Sequence, residues 1–328
     1  MTLVETARLD AAAAAPSYRC FAAEVARVQQ LCPTFRRITL AGPELRGFGH
    51  GGADQRVKLV LPSDAARPHA SLAPLVSRGA DWYQHWRGLP DPARPVMRTY
   101  TVRAARPELG EVDVDVVMHG AGHGGAPGPA CLWAAGARPG DPLVLVGPDR
   151  PGTGRAWGCE WAPPAQARTL LLAGDETAVP AICAVLEQLA PGTRALALLE
   201  VPHEADVLPV AASAGAEVRW LPRQRGGQRS AHGVLLAEAV RSAVRGLAPA
   251  APAAPDAPAL DDVDVDSSLL WDVPAAPEPA GAAGLYAWLA GEAGMVKELR
   301  RHLVRDVGVP RSSVAFMGYW RAGRAEAA

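Results

Sequence analysis

Two stretches of this 328-residue chain concentrate side chains and glycines that could do chemistry. One is "VDVDVVMHGAGHGGAPGPACLWAAGARPGD", Val112 to Asp141, which contains a literal Gly120-x-Gly122-x-x-Gly125. Between a strand and a helix, glycines at that spacing let backbone approach a pyrophosphate. The other is "RTYTVR". Along a strand, Arg98, Tyr100 and Val102 face one way and Thr99, Thr101 and Arg103 the other. A phenol, hydroxyls and two guanidiniums on one edge suit a planar isoalloxazine that carries a diphosphate. A salt-bridged surface strand would carry the same residues.

The glycine pattern fails the Rossmann requirements. A strand precedes it, but Pro127 and Pro129 prevent a long helix from starting at the glycines, and Pro139-Gly140 stops any helix soon after. The acid that holds a ribose should close the next strand, whereas Asp141 opens the strand "PLVLV". What remains is a short helix from Gly128-Pro129, with proline suited to the first turn and backbone N–H groups at its start. That is an anion site, suited to a pyrophosphate, or a glycine-rich loop leading into a packing helix. Local chemistry admits both.

The elements that position these residues fall into two halves. "FAAEVARVQQLCPTFRRITLAG", "RVKLVLP", "MRTYTVRAA", "EVDVDVVMHG" and "DPLVLVGP" are short alternating or apolar runs, which predict an antiparallel barrel. "SLAPLVSRGADWYQHWRGLPDPARPV" predicts a loop with one short helix lying on that barrel. After Pro148, "ARTLLLAGDETAVPAICAVLEQLAPGTRALALLEVPHEAD" reads as a βαβ unit with a buried parallel sheet, and "EVRWLPR", "GVLLAEAVRSAV", "LYAWLAGEAG" and "MVKELRRHLVRDVG" continue the alternation. The second half is therefore α/β, a smaller doubly wound sheet. The expected division is a disordered tail over 1–17, a barrel domain over 18–160 and an α/β domain over 166–328. A Pro/Ala/Asp-rich segment over 248–284 is expected to be a flexible insertion in the latter.

Composition sets the outer limits. A formal net charge of -1 gives no electrostatic case for nucleic acid or a membrane surface. Cys20, Cys32, Cys131, Cys159 and Cys183 are scattered and nowhere spaced C-x-x-C, which argues against an iron–sulfur cluster, a structural zinc or a disulfide framework. With no basic leader and no long apolar run, the chain is expected to be cytoplasmic, without a resident metal, and monomeric.

The chain resembles the siderophore-interacting proteins, FAD-dependent ferric-siderophore reductases of the ferredoxin-reductase-like superfamily. The resemblance rests on "RTYTVR", "MHG…GPACLWA", "ARPGDPLVLVGP", "LLAGDETAVPAI", "VRWLPR", "YAWLAGEAG" and the terminal "GYWRAGR", in the family's order over nearly the whole chain. It implies an FAD-binding barrel followed by an NAD(P)H-binding α/β domain. It assigns Arg98, Tyr100, Thr101 and Arg103 to FAD, with His119, Gly120, Gly128, Pro129, Ala130 and Trp133 completing that site. In two departures, the loop before Gly128 is longer than usual and Cys131 stands where serine is common.

Gly174, Asp175 and Thr177 follow the first strand of the α/β half, where ligands lie in doubly wound sheets, and Ala290, Gly291 and Glu292 repeat the arrangement at a second strand end. Each turn alone would also serve as an ordinary helix cap. With the resemblance, they predict a nicotinamide cleft for NADPH or NADH. Tyr319, Trp320 and Arg321 either anchor a terminus or, as the resemblance implies, reach back towards the flavin and nicotinamide. Lys58, Arg150 and Arg223 match basic positions for an anionic ferric siderophore, though each alone reads as a solvated charge.

The implied chemistry needs no side chain as general acid or base. Nicotinamide gives two electrons as hydride and Fe(III) takes one, so FAD serves as converter and the protein positions the reactants. A general flavin or ferredoxin-type reductase and a non-catalytic siderophore-binding protein are the competing readings.

Overall fold

The computed structural model of the chain describes residues 18–118, 127–149, 158–247, 271–272 and 284–323. The tail over 1–17, almost all of the insertion over 248–284, and the site candidates His119, Gly120 and Arg150 lie outside the described residues. Two compact units divide the chain, one ending at Cys159 and the other beginning at Glu160.

Six strands form a closed antiparallel barrel in the first unit: β1 (Tyr18–Gln30), β2 (Phe35–Ala41), β3 (Arg56–Leu61), β4 (Val96–Arg106), β5 (Glu111–Val117) and β6 (Pro142–Pro148), in the order β1-β2-β5-β4-β3-β6. Period-two alternation fills the interior. Phe21, Ala23 and Val25 meet Ile38, Leu40, Val57, Leu59, Val112, Val114, Leu143 and Leu145 there. The barrel closes because β1 pairs with β6 through Tyr18–Glu24 and with β2 through Glu24–Gln30.

One short helix is expected on the barrel; the structure has two, α1 (Pro68–Ser77) and α2 (Trp82–Gly88). Leu72, Leu75, Trp82 and Trp86 of this pair cover Cys20, Val60, Val144 and Val146 on the outer wall. That cover explains why "LVLV" in β6 is apolar without alternation: Leu143 and Leu145 face inward, and Val144 and Val146 lie under the helices. Burying each large side chain contributes about 1.5–3 kcal/mol. The indole of Trp86 donates to the carbonyl of Pro95 at 2.9 Å, which satisfies its polar end. The prolines obscured the pair, yet Pro68 lies at the start of α1, where its missing N–H costs nothing.

In the second unit, seven strands run in the order β10-β9-β8-β7-β12-β13-β11. They are β7 (Thr169–Gly174), β8 (Ala195–His203), β9 (Ala216–Arg225), β10 (Gln228–Arg229), β11 (Trp271–Asp272), β12 (Leu285–Glu292) and β13 (Val314–Trp320). The five central strands are parallel, as expected, but β10 and β11 pair antiparallel at the edges, so the sheet is mixed. Helices α4 (Val179–Gln188), α5 (Val234–Leu247) and α6 (Ala293–Arg301) accompany it. α5 and α6 pack on the face of Leu171, Ala173, Leu198, Ala287 and Leu289, whereas Ile182 of α4 meets the opposite face at Gly174. The strand order reverses between β7 and β12, which places a crevice at their carboxyl ends. Among the described residues, no helix is long and apolar enough to cross a membrane.

Candidate functional site

In the barrel unit, β4 presents Arg98 and Tyr100 on its inward-facing side chain row. Tyr100, partly buried, packs with Met118 and Trp133 against the interior cluster that includes Ala130 and Ala134. Ala130, Trp133 and Ala134 belong to α3 (Pro129–Gly136), the short helix expected from "GPACLWA". Gly128 is its N-cap, Pro129 begins it, and among the described residues no side chain caps it. A Cβ on Gly128 would meet no described residue within 4 Å. Among the described residues, the start of α3 therefore keeps the N–H groups of a helix N-terminus without a side-chain cap.

The other end of α3 is held by a residue the sequence did not flag. Arg36 Nη1 donates to the carbonyls of Ala134 and Ala135 at 2.8 and 2.9 Å, a cation on the orphan acceptors of a helix C-terminus. Cys131, the departure from serine, is buried and donates from Sγ to the Val117 carbonyl at 3.2 Å. It ties α3 to β5.

Arg103 is placed differently from Arg98. The register of β4 on β5 shifts between Val102 and Ala104, so Arg103 is the extra residue of a bulge, and its Nε lies 3.8 Å from Asp115. Asp115 also takes a bidentate pair from Arg37 at 2.7 and 2.8 Å, and Asp113 takes one from Arg106 at 2.8 and 2.7 Å. Arg103 thus joins an ion-pair ladder on the barrel wall, which is the salt-bridged alternative that its motif allowed. Thr101 is buried opposite Arg56. Lys58, exposed on the outer wall, donates to Thr99 Oγ1 at 3.1 Å.

A phenol ring, a guanidinium on the same strand row and the uncapped start of α3 are the partners a flavin dinucleotide needs. On those three observations the barrel residues fit FAD.

In the α/β unit the carboxyl edge is organised by Asp175, which is fully buried. Its Oδ1 accepts the N–H and hydroxyl of Thr177 at 2.9 and 2.5 Å, and its Oδ2 accepts the Glu292 N–H and the Trp320 indole N–H, each at 2.8 Å. The expected ligand residues Asp175, Thr177, Glu292 and Trp320 are thus brought together, but they bond to one another. Two glycines permit it. A Cβ on Gly291, at φ 140°, would lie 2.6 Å from Asp175 Oδ2, and one on Gly174 would lie 2.7 Å from the Ala290 carbonyl. Glu292 also caps α6, accepting the Met295 N–H at 2.8 Å. Arg321 follows Trp320, half-buried, at the end of β13.

Arg223 departs from its expected role as a solvated cation for the chelate. Its side chain is only 9% exposed and donates to Glu176 at 2.7 and 2.9 Å and to Glu200 at 3.2 Å. Glu200 in turn accepts the N–H groups of Gly233 and Leu236 at 2.6 and 2.9 Å, fixing the start of α5. The cause is β-sheet register: β9 lies beside β8, so a guanidinium near its carboxyl end meets Glu200 within β8 and Glu176 in the turn after β7.

His232, which no motif marks, completes the edge. Its Nε2 stands 3.2 Å from Asp175 Oδ2, and its ring meets the Trp320 indole edge-to-face at a centroid distance of 5.2 Å. Burial disfavours the imidazolium, but Asp175, with help from Glu176, holds the pKa above its ordinary value against the charge of Arg223. A cleft of about 450 Å³ opens beside these residues, lined by His232, Gly233, Arg241, Glu292, Met295 and Trp320 among others. A signal for His232 does exist in the sequence: it directly precedes Gly233 at the start of an apolar helix.

A siderophore-interacting FAD-binding domain matches residues 24–152, and a siderophore-interacting protein domain matches residues 167–323. An uncharacterized protein of Mycobacterium tuberculosis is 32% identical over 306 residues, covering 92% of this chain and 90% of its own length. The ferric vibriobactin reductase ViuB of Vibrio cholerae is 27% identical over 295 residues, covering 89% and 86%. Among solved structures, the siderophore-interacting protein SipS from Aeromonas hydrophila superposes with a TM-score of 0.62 at 29% identity, covering 94% of each chain. The barrel and the mixed sheet share their fold with a cytochrome P450 reductase and a ferredoxin reductase of known structure, and with both domain matches in order the chain belongs to the siderophore-interacting protein family.

Proposed function

We propose that the chain is an NAD(P)H-dependent ferric-siderophore reductase. The observation that carries this reading is the similarity to a ferric vibriobactin reductase across 89% of the chain, spanning both units. One nicotinamide loses a hydride, two ferric chelates each gain one electron, and one proton is released. FAD, when bound, supplies the conversion between the two-electron donor and the one-electron acceptor. Iron leaves because hard oxygen ligands hold Fe(II) far more weakly than Fe(III).

The residues position and do not exchange protons with the reactants. Tyr100 would pack on the flavin ring, and Arg98 with the start of α3 at Gly128, Pro129 and Ala130 would hold the diphosphate. Thr101 and Trp133 complete that wall. Gly174, Ala290, Gly291 and Glu292 shape the nicotinamide crevice, with Asp175, Thr177 and Trp320 as its frame. Arg321 faces the reductant from the end of β13. Lys58 and Arg150 attract the anionic chelate, and Arg223 stiffens the crevice from within.

Steady-state turnover with ferric siderophores, free flavin and a ferredoxin as alternative acceptors tests the reading. Higher kcat/KM for ferric chelates is expected. Preference for free flavin or ferredoxin would make this a general reductase, and absence of any NAD(P)H oxidation would make it a carrier.

A further inference from the structure

The crevice wall carries a titratable side chain that the electron-transfer chemistry does not use. His232 precedes α5 and lines the cleft with Glu292 and Trp320. Asp175 Oδ2, already holding the Glu292 N–H and the Trp320 indole N–H, is 3.2 Å from its Nε2. Three elements thus converge on one oxygen, and the imidazole is the member whose charge can change near neutral pH. A neutral ring protonated on Nδ1 would turn a lone pair towards the carboxylate. A ring protonated on Nε2 alone could donate but would carry no charge.

Charged groups lie around His232 and its cleft on every neighbouring element. The turn after β7 supplies Asp175 and Glu176, β9 supplies Arg223, and Glu200 stands behind it. Glu238 and Arg241 come from α5, Glu292 and Glu298 from the end of β12 and from α6, and Arg321 follows Trp320. The guanidinium of Arg223 is bonded to Glu176 and Glu200, and that of Arg241 to Glu298. Carboxylates therefore outnumber guanidiniums around the crevice, which is unfavourable for a dinucleotide diphosphate.

We propose that His232 is a positioning residue of the reductant site. When protonated, it braces Asp175 and Trp320 and adds positive charge to the crevice wall, so that the crevice binds an anionic nicotinamide dinucleotide more tightly in that state. This rests on reading the crevice as the nicotinamide site. The same geometry holds the imidazolium against deprotonation, because burial is outweighed by the Asp175 carboxylate.

The test uses FAD-loaded protein and calorimetric binding of NAD+ and NADP+, which cannot reduce the flavin. From about pH 6 to about pH 9, the wild type should lose roughly three- to tenfold in affinity, as expected for one nearby charge in a partly screened site. His232→Gln keeps a donor but does not titrate, and should flatten that profile. In parallel, the His232 ring resonance is followed by NMR in wild type and Trp320→Phe. Removing the indole donor leaves Asp175 more available to the imidazolium, so the midpoint should rise. An unchanged pH profile in His232→Gln, or a His232 midpoint unmoved by Trp320→Phe, would overturn the proposal alone. Failure of either dinucleotide to bind at any pH would overturn both it and the nicotinamide reading.

Discussion

The indole N–H of Trp320 donates to Asp175 Oδ2 at 2.8 Å, tying the end of the last strand to the turn after the first strand of the α/β unit, 145 positions earlier. Trp320 is therefore part of the crevice frame. Trp320→Phe keeps a ring against His232 and removes one donor, and should cost about 0.5–1.5 kcal/mol in urea unfolding. Asp175→Asn confronts several donors with an amide N–H₂ and should cost about 2–4 kcal/mol. Equal costs for the two would show that Asp175 is not the hub.

Two glycines in candidate sites should respond oppositely to the same substitution. Gly291→Ala drives a methyl into the Asp175 carboxylate at a φ of 140° and should destabilise by about 2–4 kcal/mol. Gly128→Ala meets no described residue within 4 Å, at a φ of -66°, and should stay within about 1 kcal/mol of wild type. Thermal unfolding of both variants decides this, and a stable Gly291→Ala would refute the close approach.

Arg223 and Lys58 are both basic, but they differ in what they do. Arg223→Met strands Glu176 and Glu200 without their shared cation and should cost about 3–5 kcal/mol, part of it recovered in the double variant with Glu176→Gln. Lys58→Ala should leave unfolding within about 0.5 kcal/mol of wild type. It should raise KM for an anionic ferric chelate about three- to tenfold and leave the rate of flavin reduction near wild type. A Lys58→Ala enzyme with normal KM would remove Lys58 from the substrate surface.

The His232–Asp175 pair also makes stability depend on pH. The folded protein holds the imidazole above its ordinary value of 6.5, so the native state binds the proton more tightly than the unfolded chain. The stabilisation is complete below about pH 6.5 and is lost as pH rises through the raised native value. The unfolding free-energy gap between wild type and His232→Gln should therefore shrink between about pH 6 and about pH 9. A gap that stays constant would mean that the imidazole titrates with the same pKa in the folded and the unfolded chain, so that Asp175 does not hold its proton.

What the sequence disclosed depended on how local the cause was. Alternation along Phe21, Ala23 and Val25 announced a barrel strand, and Pro129 after Gly128 announced α3, because each pattern lies within a few residues. Pro/Ala richness hid the α1–α2 pair, although Trp82 and Trp86 already stood one helical turn apart. The partners of Arg103 and Arg223 were out of reach: arginine is legible, but the carboxylates that claim it arrive from elsewhere in the chain, Asp115 from β5, Glu176 from the turn after β7 and Glu200 from β8. His232 had no motif, and its place at Asp175 follows only from the convergence of β7, β12, β13 and α5 at one edge.

The proposed electron path runs from a nicotinamide through FAD to a ferric siderophore. Its most direct test is an anaerobic single turnover of the FAD-loaded protein. One equivalent of NADH or NADPH should bleach the flavin absorbance, and two equivalents of a ferric siderophore should restore it with two equivalents of Fe(II) captured by a ferrous chelator. A flavin that stays oxidised with both nucleotides, or that reoxidises without releasing Fe(II), would contradict the account.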